Sequence, residues 1–166
     1  MPSEAWEPVG SPPSRTVDGL RPPPLVEGQV ALMEGAFGID ADGRPALIGG
    51  RCGTCGRAAF PMAAACPGCG DADRWCAVEL GRRATLRSWT VARVAPTGFP
   101  APHVIGALLL AEGVHLVARL DVAEDETQAL RSGLAMALTT RVLGRHQDGR
   151  EIVGWAYAPA STGVAT

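Results

Sequence analysis

The sequence predicts a mainly β protein in which an N-terminal extension precedes a small metal-bound ribbon and then a closed five-stranded barrel of the OB type. Two observations carry this reading. Four cysteines stand as two Cys-x-x-Cys pairs, Cys52 with Cys55 and Cys66 with Cys69, leaving only Cys76 outside them. Beyond residue 78 the apolar residues fall into short segments separated by Gly, Asp and Pro turn signals, which is the spacing of strands. The composition agrees, since 46% hydrophobic and 19% charged residues describe a folded chain and not a disordered one. At 166 residues the chain has room for one domain or two very small ones.

Residues 1–44 read as a tail and docking segment. Seven prolines lie between Pro2 and Pro24, a composition that holds neither a helix nor a core. Over 25–37 the apolar residues recur loosely at helical spacing, with Gly28 and Gly35 against it. This predicts a short segment that straps its own domain or touches a partner. Asp42-Gly43 marks a turn, and 46–48 a short strand that opens the metal ribbon, 45–77. The barrel then occupies 78–160, with strands expected over 84–94, 104–111, 114–120, 135–145 and 150–157. Glu112-Gly113 and the stretch from His146 to Gly149 supply turns. A helix is expected over 121–134, ended by Gly133, and residues 161–166 form a tail. Five strands with a helix between the third and fourth is the element order of an OB-fold, although small barrels of other topology share these turn signals.

The cysteine pairs are metal knuckles. Two residues between the cysteines let both sulfurs reach one ion, and the glycine after each pair, Gly56 or Gly70, allows the positive φ that turns backbone N–H groups toward the thiolates. Two such loops face to face close a tetrahedral site and leave no position for water or substrate. Zinc in a structural role is favoured. Iron, as in a rubredoxin-like electron carrier, uses the same loops and is the rival. Cys76 is expected to be a packed thiol beside Trp75.

Elsewhere the chemistry is sparse. His103, His115 and His146 are the only histidines, and no G-x-S-x-G, phosphate loop or H-E-x-x-H is present. Catalysis by this chain alone is not expected. The net charge of -2 gives no general attraction to nucleic acid or anionic membrane, and no apolar run approaches the roughly 18 residues of a membrane helix. The first residues carry no basic and apolar leader, so a cytoplasmic protein with reduced cysteines is expected. Arg82, Arg83, Arg87 and Arg93 concentrate positive charge locally. On a regular strand Arg87, Trp89, Val91 and Arg93 would share a face, a guanidinium and indole surface suited to a phosphate-bearing adenine compound. A single-stranded nucleic-acid binder is the alternative reading, because OB-folds and ribbons serve that role. The 103–120 stretch supplies it with no Phe, Tyr or Trp.

Over roughly residues 30–158 the chain resembles the DUF35 family, in which a rubredoxin-like zinc ribbon precedes an OB-fold. The resemblance rests on Arg51-Cys52-Gly53-Thr54-Cys55-Gly56, Phe60-Pro61, Cys66-Pro67-Gly68-Cys69-Gly70, Thr85-Leu86-Arg87-Ser88-Trp89-Thr90-Val91 and Leu109-Leu110-Ala111-Glu112-Gly113-Val114. It implies an accessory subunit in a hetero-oligomer with a thiolase-like enzyme, acting on acyl-CoA thioesters, with catalytic Cys and His on the partner. The CoA contacts would then be Arg82, Arg83, Arg87, Trp89 and Arg93, and the zinc ligands Cys52, Cys55, Cys66 and Cys69. The chain departs from the family at Leu80-Gly81-Arg82-Arg83-Ala84, where Ser-Gly-x-Gly is common, and in its proline-rich extension.

Overall fold

The computed structural model describes residues 17–160; most of the predicted proline-rich tail and the 161–166 tail lie outside that range. Ten strands follow one another along it. They are β1 (Gln29–Ala31), β2 (Phe37–Ile39), β3 (Pro45–Cys52), β4 (Ala58–Ala59), β5 (Trp75–Glu79), β6 (Arg83–Ala92), β7 (His103–Leu110), β8 (His115–Leu120), β9 (Ala135–Arg145) and β10 (Glu151–Pro159).

Strands β6 to β10 close into the barrel. β6 pairs with β7 and β7 with β8, antiparallel in both cases, and the 3₁₀ helix Glu124–Ala129 then carries the chain to β9. β9 pairs antiparallel with both β6 and β10, while β10 lies parallel to β8 through Arg119 opposite Ala156 and Leu120 opposite Tyr157. The circuit β6-β7-β8-β10-β9-β6 is the five-stranded OB topology, and the start of β10 runs past β8 and leaves one short edge. Alternation along β7 sends Val104, Leu108 and Leu110 inward, where they meet Leu86, Leu116, Leu120, Met136 and Tyr157.

The ribbon is a second, smaller sheet centred on β3, which pairs antiparallel with β2, β4 and β5. Asp40 to Gly43 turns the chain between β2 and β3, where Gly43 takes φ +78° and its N–H bonds the Asp40 carbonyl at 3.1 Å. Ribbon and barrel share one core. Phe37, Leu47 and Leu80 are buried in the same cluster as the barrel residues, and Trp155 of β10 meets Phe37 and Phe60 edge to face, with ring centroids 5.9 and 5.1 Å apart.

Three expectations change here. The 25–37 stretch is not helical: β1 adds to the barrel alongside β10, with Gln29 opposite Glu151, and β2 pairs with β3. Its apolar residues are recruited by distant partner strands, which outweigh a weak helical period broken by two glycines. The helix expected over 121–134 shrinks to the six-residue 3₁₀ turn, because the backbone beyond Leu130 bonds elsewhere. Gly133 N–H goes to the Leu86 carbonyl and Leu86 N–H to the Leu134 carbonyl, tying this stretch to β6 in place of a helical ladder. Cys76, expected beside Trp75 in the packing, is exposed, since consecutive residues on β5 point to opposite faces and Trp75 takes the inner one.

An ion-paired knot fixes the extension to the ribbon–barrel linker. The Asp40 carboxylate accepts the N–H groups of Asp42 and Arg44 at 2.9 and 2.8 Å and receives the Arg82 guanidinium at 2.7 Å. The Arg44 N–H bond, opposed by partial burial and reinforced by the two guanidiniums, holds the Asp40 carboxyl at about 2. Arg82 also reaches Glu79 at 2.8 Å.

Candidate metal centre and its surroundings

The two knuckles fold by the same backbone pattern. In the first, Cys52 N–H bonds the Arg57 carbonyl and Gly56 N–H bonds the Cys52 carbonyl, both at 2.9 Å; in the second, Cys66 pairs with Asp71 and Gly70 with Cys66 at the same distance. Gly56 and Gly70 take φ +73° and +78°, the left-handed conformation expected from their place after each pair. The loops converge so that Cys52 Sγ lies 3.6 Å from Cys69 Sγ and Cys55 Sγ 3.5 Å from Cys66 Sγ, with all four sulfurs within 4.8 Å of one another. A tetrahedron with metal–sulfur bonds of about 2.3 Å places its sulfurs about 3.8 Å apart, so the cluster has the dimensions of a four-thiolate site.

The acid–base character of the cluster fits a cation. Burial raises the Cys66 thiol, but the N–H groups of Cys69 and Gly68 and hydrogen bonds from Cys55 and Cys52 outweigh it and bring the group down to about 6. The Asp71 N–H favours a thiolate at Cys69, yet burial and the three neighbouring sulfurs push that group up to about 12. The Cys66 thiolate forms readily, and the one at Cys69 forms beside it only with compensating positive charge. A divalent ion supplies it. Cys52 and Cys66 are buried while Cys55 and Cys69 are exposed, so the site is anchored on its inner side. Zinc and iron both suit the four sulfurs; the ion's place in either case is closed to substrate.

Several supporting residues carry no sequence signal of their own. Thr54 donates to Asp71 and ties one knuckle to the other, while Asp71 Oδ1 accepts the N–H of Arg74 at 3.0 Å. Trp75 is 3% exposed and packs with Cys52, Met62 and Cys66, its indole N–H bonding the Ala63 carbonyl at 2.9 Å. The ring packs directly on Gly50, where a Cβ would stand 2.1 Å from Cζ2. Gly50→Ala is therefore expected to push Trp75 out of place at a cost of about 1–3 kcal/mol and to abolish the slow exchange of its indole proton, readable by NMR.

The arginine surface does not assemble as the alternation suggested. The β6–β7 register shifts between Leu86 and Ser88, so Arg87 is the extra residue of a bulge. After the bulge Trp89 and Val91 pack on the core while Arg87 is exposed. Arg93 lies beyond the strand and pairs with Glu124, and Arg82 belongs to the Asp40 knot. Among the described residues Arg83 and Arg87 have no carboxylate partner. No helix among those residues is long and apolar enough to cross a membrane.

Comparison with known proteins matches this architecture piece by piece. The model of the ChsH2 rubredoxin-like zinc ribbon domain matches residues 40–73, and that of the ChsH2 C-terminal OB-fold domain matches 77–141. The chain belongs to the DUF35 family. Among relatives of this DUF35 chain is a DUF35 domain-containing scaffold protein of Methanocaldococcus jannaschii, 28% identical over 119 residues, covering 70% of the chain and 83% of the relative. Among solved structures, a chain of the Ltp2-ChsH2(DUF35) aldolase superposes with a TM-score of 0.52 at 27% identity, covering 69% of this chain and 85% of that one.

Proposed function

We propose that this DUF35 chain is a non-catalytic, zinc-holding scaffold subunit of a thiolase-fold enzyme that works on acyl-CoA thioesters. The observation that carries the reading is the closed four-sulfur centre built into a ribbon that shares its core with the barrel. Such a metal braces a surface and performs no chemistry. The similarity to a scaffold protein and to a chain of an aldolase assembly supports the same role. The partner supplies the catalytic groups. Of the five residues considered for CoA, Arg83 and Arg87 are the ones free to meet its phosphates, Arg82 and Arg93 being already paired and Trp89 packed inward.

Co-expression with a thiolase-like protein from the same source is expected to give a complex of fixed stoichiometry by native mass spectrometry, with one zinc per DUF35 chain. Arg83→Glu with Arg87→Glu should leave the complex intact and raise its KM for acyl-CoA about tenfold or more, the scale of a lost charge-assisted phosphate contact. A stable monomer that ignores acyl-CoA enzymes and binds single-stranded DNA with steep salt dependence would overturn the proposal, as would stoichiometric iron with reversible redox behaviour.

A further inference from the structure

A second site lies on the barrel wall, away from the cysteines. The loop between β6 and β7 folds back across the barrel, and the Arg145 N–H bonds the Gly98 carbonyl at 2.6 Å, which pins the loop against β9. The pinned loop and the outer faces of β7 and β8 bound a cleft of about 170 Å³. Phe99, Ile105, Val117, Ala118 and Leu143 line it with apolar groups, and His103 and Arg119 with polar ones.

Charge in the cleft is unbalanced. Arg119 is half-buried, and one of its terminal nitrogens donates to the Leu143 carbonyl at 3.2 Å, which orients the guanidinium. It has no carboxylate partner among the described residues, and no acidic side chain lines the cleft. His103 is held by its own wall, with Nδ1 2.9 Å from the Pro100 carbonyl. Arg141 and Arg145, by contrast, are paired with Asp121 and Glu151. A positive group lining a mostly apolar cleft complements an anion with an apolar stem.

Size narrows the ligand. Since a water molecule occupies about 30 Å³ of liquid, the cleft has room for roughly five or six waters, or for a carboxylate carrying about three or four carbons. That is well short of the roughly 300–1,000 Å³ that larger ligands such as nucleotides fill. We propose that this cleft binds a carboxylate on a short aliphatic stem, with Arg119 receiving the anion and Ile105, Val117 and Leu143 enclosing the stem. The inference stands apart from the CoA reading, which concerns Arg83 and Arg87.

Titration of the ¹⁵N-labelled full chain with isovalerate tests it, with isovaleramide as the neutral isostere. Isovalerate should produce saturable shifts at Phe99, Ile105, Val117, Arg119 and Leu143 with a millimolar Kd, and the amide should not. Arg119→Gln should weaken binding about tenfold or more. Val117→Glu, at a position 67% exposed and therefore harmless to folding, should do the same by placing a carboxylate at the mouth. N-acetyl-glycyl-leucine distinguishes sources: tighter binding than isovalerate assigns the cleft to a protein C-terminus, and weaker binding to a free short-chain acid. Equal shifts from isovalerate and its amide, or no saturable response to any carboxylate, would overturn the site.

Discussion

Cys52→Ala is expected to abolish metal binding and to unfold the ribbon. Cys52 is 2% exposed and ends β3, the strand that pairs with every other strand of the ribbon and begins in the common core at Leu47. Removing its sulfur therefore opens a cavity beside Met62 and Trp75 as well as the coordination sphere. A structural zinc site contributes apparent binding energy of about 10–16 kcal/mol, comparable with the whole stability of about 5–15 kcal/mol that a domain possesses. Even if half is recovered by relaxation, the loss of about 5 kcal/mol or more lowers Tm by roughly 10–20 °C for a chain of this size. Elemental analysis should find no bound metal, and the indole proton of Trp75, now bonded to the Ala63 carbonyl, should exchange at the rate of a free indole. Chelation of the wild-type chain should reproduce both effects. Cys76→Ala, which removes an exposed thiol, should change neither. Full metal occupancy in Cys52→Ala would show that the cluster is not the metal site.

The metal centre was legible in the sequence because its chemistry is local. Two residues between sulfurs and a glycine after each pair dictate the knuckle whatever the rest of the chain does. The barrel strands were legible for a related reason: alternation and turn residues such as Glu112-Gly113 act within a few positions. What escaped depends on partners far along the chain. β1 exists because β10 offers an edge more than a hundred residues later, and nothing within 25–37 announces it. The bulge at Arg87 exchanges the two faces of β6 after a single residue, so Trp89 turns inward and the expected guanidinium–indole surface does not form. Phe37, Phe60 and Trp155 likewise look like three unrelated aromatics until the fold brings them together.

That aromatic junction gives the second large effect. Trp155→Ala should cost about 3–5 kcal/mol, as truncation of a buried aromatic does, and lower Tm by roughly 6–20 °C. Trp155 lies on a barrel strand, but its edge-to-face neighbours, Phe37 on β2 and Phe60 after β4, belong to the ribbon. The loss should therefore fall on the cooperativity between the two parts. The wild type is expected to melt in one transition, while Trp155→Ala should melt in two, the ribbon holding its metal through the first. Coupling can be measured directly: a double-mutant cycle of Trp155→Leu with Phe60→Leu should return an interaction of about 0.5–1.5 kcal/mol, the contribution of an aromatic pair beyond its buried area. Metal content separates this variant from Cys52→Ala, because an empty junction leaves the four sulfurs where they are. A single sharp transition in Trp155→Ala with a cost below about 1 kcal/mol would mean that the rest of the shared core joins ribbon to barrel, with the aromatic contacts incidental to it.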